Sequence, residues 1–243
     1  MPAELAYPDL IRALGSDVDA RFKEHDLYAS SGPPADWGLG TEVESIRRFA
    51  DDAGFGRFHL VGYSGGGAIA IAFCVTYPER LASLALNEPA WTGNEGLSED
   101  ERKLWHEYER IAALPPEQMM AEFVRTQLAP GVEPPPRPDG PPPPWMVTRP
   151  AGIDAFTRAF GSFPLDIEGL RTFDRPVLYT FGGKSNPVQF ELPAERLGRI
   201  FPDFAVEVFE ERHHFDPAHR AEPERYARSL RRLWDRAAAA REG

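Results

Sequence analysis

The chain has 243 residues, with 27 basic and 38 acidic side chains, and its formal net charge of −11 argues against nucleic acid as a partner. This length predicts one large domain, or one domain that carries a smaller insertion. One cysteine excludes a disulfide framework. The apolar stretches are too short for a bilayer and the first residues lack a signal-peptide pattern, so we expect a cytoplasmic protein without a membrane partner.

The first quarter of the chain contains helix, strand and loop patterns. Residues 7–14 predict a short helix, and apolar residues alternating with polar ones predict a strand over 18–27. A Ser-Ser-Gly-Pro-Pro stretch at 30–34 predicts a loop. Thr41 and Glu44 have the spacing of a capping box and predict the start of the next helix.

A serine on a tight turn is the strongest chemical signal. The apolar run 58–61 predicts a buried strand, and the apolar stretch 68–77 predicts a helix. Between them lies Gly-Tyr-Ser-Gly-Gly-Gly, with Ser64 at its centre. A strand-to-helix turn flanked by glycines projects a serine hydroxyl into a cleft, whereas the absence of a following Lys argues against a phosphate-binding loop. This pattern therefore favours a nucleophilic serine.

The pattern changes after the strand predicted over 81–86. Residues 91–173 read as a helical, proline-rich insertion, in which Ser98 and Glu101 form a second predicted capping box. Ten of the 25 prolines lie within 130–150, which predicts an extended loop. Two further helices are predicted, over 116–128 and 153–160.

The alternation of strands and helices returns after Pro176. It predicts strands over 177–181 and 205–209 and helices over 191–201 and 223–239. Strands that alternate with helices predict a mostly parallel sheet with helices on both faces, which is the α/β class.

These motifs resemble the α/β-hydrolase superfamily. The resemblance rests on the turn around Ser64, the strand and Gly-Gly pair at 176–183, and a late histidine, and it covers nearly the whole chain. It implies a core formed by residues 1–90 and 174–243, with a helical lid inserted over 91–173. It also implies that Ser64 is the catalytic nucleophile.

The base that activates Ser64 must titrate near neutrality, which selects histidine. The superfamily places it between the last strand and the last helix, where this chain has His213 and His214. We predict His214 as the base, with His213 as the alternative.

The acidic partner of the base departs from the superfamily pattern. The loop after the strand at 177–181 has Ser185 where a carboxylate is expected, and a hydroxyl carries no charge at neutral pH. Glu88 follows the neighbouring strand, a position from which some α/β-hydrolases supply their acid, and parallel strands end at one edge of the sheet. We predict Glu88 as the acid, while a solvated turn residue remains the alternative.

The oxyanion site is incomplete in the sequence. The resemblance implies the backbone N–H of Gly65 as one donor. The second normally comes from a His-Gly loop after an earlier strand, and no His-Gly pair occurs here. We therefore expect that the front strands of the sheet are missing, because the true start lies upstream or because the chain is a shortened homologue with weakened activity.

Together these features predict a hydrolase that acts on an ester, or a related acyl bond, of a small apolar substrate. No cofactor is expected, and no metal, because ligand spacings such as His-x-x-x-His are absent from the sequence. Hydrolysis of a C–C bond and cofactor-free haloperoxidase chemistry remain open on the same fold. A non-catalytic, ligand-binding relative is the alternative from another class.

Overall fold

The computed structural model of the protein describes residues 1–28, 32–136 and 140–240, so residues 30 and 31 of the predicted loop lie outside the described residues. Four strands form one parallel sheet in the order β1-β2-β3-β4. Their bounds are β1 (Phe58–Tyr63), β2 (Leu81–Asn87), β3 (Val177–Gly182) and β4 (Phe204–Phe209). The predicted parallel sheet is confirmed.

Helices cover both faces of this sheet. In chain order they are α1 (Ala3–Ala6), α2 (Pro8–Leu14), α3 (Leu39–Asp52), α4 (Gly65–Thr76), α5 (Glu99–Ala112), α6 (Pro116–Thr126), α7 (Arg149–Ser162), α8 (Ile167–Arg171), α9 (Pro187–Gly198), α10 (Ala218–Ala221) and α11 (Pro223–Ala239). None of the described helices is both long enough and apolar enough to cross a bilayer.

The alternation of side chains along the strands divides the core between the two faces. Leu84 and Leu86 of β2 are buried in the larger cluster, together with α4 and α9. Ala85, which lies between them, points to the other face and packs in a second cluster with α2 and α11. The central strands β2 and β3 are buried along nearly their whole length and are largely apolar, as is usual for parallel sheets.

The predicted strand over 18–27 is wrong. Residues 19–25 are irregular, and one turn of 3-10 helix follows at Asp26–Tyr28. No described strand pairs with this segment. Its polar side chains bond locally, as in the ion pair between Arg21 and Asp19, and Phe22 is exposed. An alternating pattern forms a strand only where a neighbouring strand accepts its hydrogen bonds.

The predicted capping box at Thr41 and Glu44 is also wrong, because α3 begins at Leu39, earlier than the pattern suggests. Gly38 is the N-cap residue, and its N–H donates to the Thr41 hydroxyl at 3.4 Å. The buried side chain of Leu39 brings the first turn of the helix into the core. Glu44 instead pairs with Arg47.

Four helices, α5 to α8, lie between β2 and β3. The capping box of α5 forms as predicted, since the Ser98 N–H donates to the Glu101 carboxylate at 2.8 Å and its hydroxyl accepts from the Glu101 N–H at 3.2 Å. Among the described residues of the proline-rich stretch, only Pro144–Met146 forms a helical turn, of the 3-10 type, before α7 begins.

Candidate functional site

Ser64 occupies the sharp turn between β1 and α4. Its φ of 53° lies in the left-handed region, which costs free energy for a residue with a Cβ. Two bonds to the end of β2 and the segment after it hold the turn: the Ser64 N–H donates to the Asn87 carbonyl at 3.1 Å, and the Ser64 carbonyl accepts from the Ala90 N–H at 2.9 Å. A strained serine backbone fixed in this way is typical of a functional turn.

Two glycines allow the turn to close. A Cβ on Gly62 would overlap the Gly66 carbonyl, and a Cβ on Gly67 would lie 2.7 Å from the Cα of Pro89. Neither neighbour is the movable end of a side chain. The glycine pattern around Ser64 therefore follows from close backbone packing.

Ser64, His214 and Glu88 lie in a hydrogen-bonded row. The Ser64 Oγ is 3.0 Å from the His214 Nε2, and the His214 Nδ1 is 3.2 Å from the Glu88 Oε2. His214 and Glu88 are 3% and 1% exposed, so water screens their interaction little. The three residues predicted as nucleophile, base and acid are thus brought together by the fold.

Glu88 accepts bonds on both of its oxygens. Its Oε1 accepts from the Gly182 N–H at 3.0 Å and from the Ser185 hydroxyl, while its Oε2 faces His214. Ser185, the residue at the position where the superfamily usually has its acid, is therefore a partner of Glu88. These donors satisfy the buried carboxylate and fix its orientation towards His214.

The ring of His214 is held by two aromatic side chains. Phe190 of α9 stacks on the imidazole with ring centroids 4.9 Å apart and an interplanar angle of 14°. Tyr63, the residue before Ser64, donates its hydroxyl to the His214 carbonyl, and its ring centroid lies 5.1 Å from the imidazole. Burial, followed by the charge of Glu88, raises the pKa of the Tyr63 hydroxyl well above 10.0, so it remains a donor.

His213, the alternative base, is turned away from this row. Its Nδ1 accepts from the Phe215 N–H at 3.2 Å, and its backbone forms a bridge with Asp216. The Asp216 carboxylate pairs with Arg212 at 2.8 Å rather than with a histidine. The geometry therefore favours His214 over His213.

His219 lies behind the site and makes no contact with Ser64. Its Nδ1 is 3.1 Å from the Asn87 amide, and its ring packs between Tyr7 and Tyr63. Burial, with smaller contributions from Arg220 and His214, lowers the pKa of the imidazole from 6.5 to about 3. His219 is consequently neutral in ordinary buffers and supports the loop that carries His214.

The first turn of α4 provides donors for a developing negative charge. Gly65 and Gly66 lie at the N-terminus of this helix, where backbone N–H groups have no carbonyl partner within the helix. The ring of His25 lies close to Gly66, since a Cβ there would be 3.4 Å from the His25 Cε1. Gly65, the predicted oxyanion donor, thus occupies a suitable position next to Ser64.

An aromatic side chain of α7 packs against Gly65. A Cβ on Gly65 would lie 2.7 Å from the Phe156 Cζ. Trp37 and His25 both contact Phe156 edge to face, with ring centroids 5.0 and 6.1 Å away. The N-terminal side of α4 is therefore closed by a small aromatic cluster.

Sequence reasoning missed the roles of Tyr63, Phe190 and Phe156. Tyr63 carries a local signal, because it lies inside the Gly-Tyr-Ser motif, but the partner of its hydroxyl is 151 residues away. Phe190 and Phe156 are apolar positions on helices, and no sequence pattern distinguishes them from ordinary core residues.

The row of Ser64, His214 and Glu88 permits one kind of chemistry. The imidazole can take the serine proton while the carboxylate stabilises the resulting positive charge. Among the described residues, no group of three or more His, Cys, Asp and Glu side chains is arranged to hold a metal ion.

Comparisons with known proteins identify the family and the fold. The profile of the Alpha/beta hydrolase family matches residues 6–229. An esterase from Exiguobacterium antarcticum superposes with a TM-score of 0.64 at 18% identity, over 95% of this chain and 88% of that one. A mutant of a meta-cleavage product hydrolase superposes with a TM-score of 0.61 at 18% identity, over 96% and 86% of the two chains. At these identities the superpositions show a shared fold.

One curated relative shares a short segment with this chain. The 2-hydroxy-6-oxo-6-phenylhexa-2,4-dienoate hydrolase of Comamonas testosteroni is 43% identical over 51 residues. That match covers 21% of this chain and 18% of the relative, so the shared segment spans less than a fifth of the relative's length.

Proposed function

Since the chain belongs to the alpha/beta hydrolase family, we propose that it is a serine hydrolase that cleaves an ester, or a related acyl bond, of a small apolar substrate. The observation that carries this proposal is the row in which the Ser64 Oγ lies 3.0 Å from His214 and His214 lies 3.2 Å from Glu88. An esterase among the structural neighbours is consistent with it.

The proposed first step is acyl transfer to the enzyme. When the Nδ1 proton of His214 faces Glu88, its Nε2 lone pair faces Ser64 and accepts the hydroxyl proton. The Ser64 oxygen then bonds to the substrate carbonyl carbon, and the Gly65 N–H holds the oxyanion. Collapse of this intermediate breaks the ester bond, and His214 gives the proton to the leaving alcohol.

The second step returns the enzyme to its starting state. A water molecule loses a proton to His214 as its oxygen bonds to the acyl carbon. The bond to Ser64 then breaks, the serine recovers its proton, and the carboxylic acid leaves. Throughout both steps Glu88 orients the imidazole and stabilises its charged form, with its own orientation maintained by Gly182 and Ser185.

We further propose that residues 91–173 form a lid over a core made of residues 1–90 and 174–243. Support comes from Phe156 of α7, whose ring covers Gly65 next to Ser64. A cover of this kind excludes water and strengthens the electrostatic interactions beneath it.

Hydrolysis of a C–C bond is the second candidate function. It is favoured by the 51-residue segment that is 43% identical to the dienoate hydrolase of Comamonas testosteroni. Incubation with 2-hydroxy-6-oxo-6-phenylhexa-2,4-dienoate tests it, since cleavage would yield benzoate, which can be measured by chromatography.

The test of ester hydrolysis uses aryl acetates and a matched pair of variants. We expect the wild type and Ser16→Ala, which alters an exposed serine away from the site, to release the aryl alcohol at equal rates. Ser64→Ala should lower kcat by at least about 10³-fold. Equal activity of wild type and Ser64→Ala, or no hydrolysis of any ester by a folded wild type, would overturn the proposal and favour a ligand-binding relative.

A further inference from the structure

A groove of about 460 Å³ lies beside the aromatic cluster, between residues 33–40, which include the start of α3, and the C-terminal half of α7. Its volume falls within the range of about 300–1,000 Å³ that is usual for small-molecule sites. We refer to it as the α7 groove. Neither Ser64 nor His214 lines it, so it is separate from the hydrogen-bonded row.

Most of the residues that line the α7 groove have apolar side chains, although its exposed surface is about equally polar and apolar. Trp37, Ala155, Ala159 and Phe163 contribute side chains to it, and prolines of the loop extend the same character. Its charged lining residue is Arg158, whose guanidinium is paired with Asp154. None of the described residues that line the groove carries a carboxylate.

The Phe156 ring lies between Trp37, at the edge of the α7 groove, and Gly65. Trp37, which lines the groove, contacts Phe156 with ring centroids 5.0 Å apart. Phe156 in turn packs on Gly65, the proposed oxyanion donor. Ala155 and Ala159, which line the groove, precede and follow Phe156 on α7, so the groove runs beside this ring.

We propose that the α7 groove binds the apolar body of the substrate, and that Phe156 is the gate between this groove and Ser64. The ligand class is an uncharged aromatic or bicyclic group on the ester, without a cationic substituent. This inference rests on the proposed hydrolase function.

The test separates binding from catalysis by using the Ser64→Ala protein and intact 2-naphthyl acetate as the probe. Ser162 lies exposed at the end of α7 and lines the groove, so Ser162→Trp places an indole in it. Ala151 is exposed on the same helix but does not line the groove, so Ala151→Trp is the matched control. Titration calorimetry measures the Kd for 2-naphthyl acetate in the Ser64→Ala protein alone and in the Ser64→Ala protein that also carries one of the two tryptophan substitutions.

We expect Ser162→Trp to raise the Kd for 2-naphthyl acetate at least tenfold and Ala151→Trp to change it less than twofold. A phenyl acetate that bears a trimethylammonium group should bind at least tenfold more weakly than phenyl acetate itself. Equal Kd values for the two tryptophan variants, or no binding of 2-naphthyl acetate to folded protein, would overturn the groove assignment. Because the assay needs no turnover, binding without hydrolysis by the wild type would refute the proposed function alone.

Discussion

Replacing Glu88 with glutamine keeps the shape of the side chain and removes its charge. The glutamine Oε1 can still accept from Gly182 and Ser185, so its amide nitrogen comes to face the His214 Nδ1. An amide nitrogen is a donor, and it therefore favours the tautomer in which Nδ1 is the acceptor and Nε2 carries the proton. In that tautomer Nε2 cannot take the proton of Ser64.

The expected loss of kcat in Glu88→Gln follows from this change of tautomer. A wrong tautomer together with an unstabilised imidazolium costs about 10³–10⁴-fold in kcat, which corresponds to about 4–5.5 kcal/mol of transition-state free energy. The thermal unfolding temperature should change little, because the hydrogen bonds to Oε1 persist. Stopped-flow measurement of aryl acetate hydrolysis by Glu88→Gln gives kcat directly.

Ser185→Ala is the matched control for this experiment. It removes one donor to the Glu88 Oε1 but leaves the Oε2 and His214 in contact. We expect kcat to fall about tenfold or less, because only one hydrogen bond is lost. The reasoning would be refuted if Glu88→Gln kept kcat within tenfold of the wild type, or if Ser185→Ala were the more damaging change.

Three further predictions follow from the surroundings of the site. Tyr63→Phe removes the bond to the His214 carbonyl, so kcat in an ester assay should fall about tenfold with KM within twofold; an unchanged kcat would contradict a positioning role. Because the pKa of His219 is about 3 in the folded protein, unfolded chains bind more protons below pH 6.5, and stability should decrease by about 2 kcal/mol from pH 7 to pH 5. Urea titrations should find that His219→Gln removes this portion of the pH dependence of the free energy of unfolding. An identical pH dependence in the wild type and in His219→Gln would contradict the assignment to His219. Gly62→Ala forces a methyl group against the Gly66 carbonyl and should destabilise the fold by about 2–3 kcal/mol in the same titrations, whereas a neutral effect would be inconsistent with the packing of the turn.

The sheet and the turn at Ser64 were predictable because their signals are local. An apolar run, a glycine-flanked serine and an apolar helix follow one another directly, and together they specify a strand, a sharp turn and a buried helix. The pairing of Glu88 with His214 could be predicted from the family resemblance together with topology, since neighbouring parallel strands end at one edge. The catalytic roles of these residues stay predictions until activity is measured.

The features that the sequence predicted wrongly or did not predict have a shared physical cause. The strand predicted over 18–27 needed a partner strand, and periodicity carries no information about neighbours. The start of α3 was placed too late because Gly38 caps it without a side chain. The contact of Phe156 with Gly65 depends on how α7 packs over the turn, which no spacing along the chain encodes.

The most direct test of the central claim is to locate the residue that reacts with a fluorophosphonate. Such a probe forms a stable bond with an activated serine oxygen and releases fluoride. Peptide mapping by mass spectrometry should place the adduct on Ser64 in the wild type, with no adduct in Ser64→Ala and at least about 10²-fold slower labelling in His214→Ala. An adduct on another residue, or no adduct on folded wild-type protein across pH 6–9, would contradict the account.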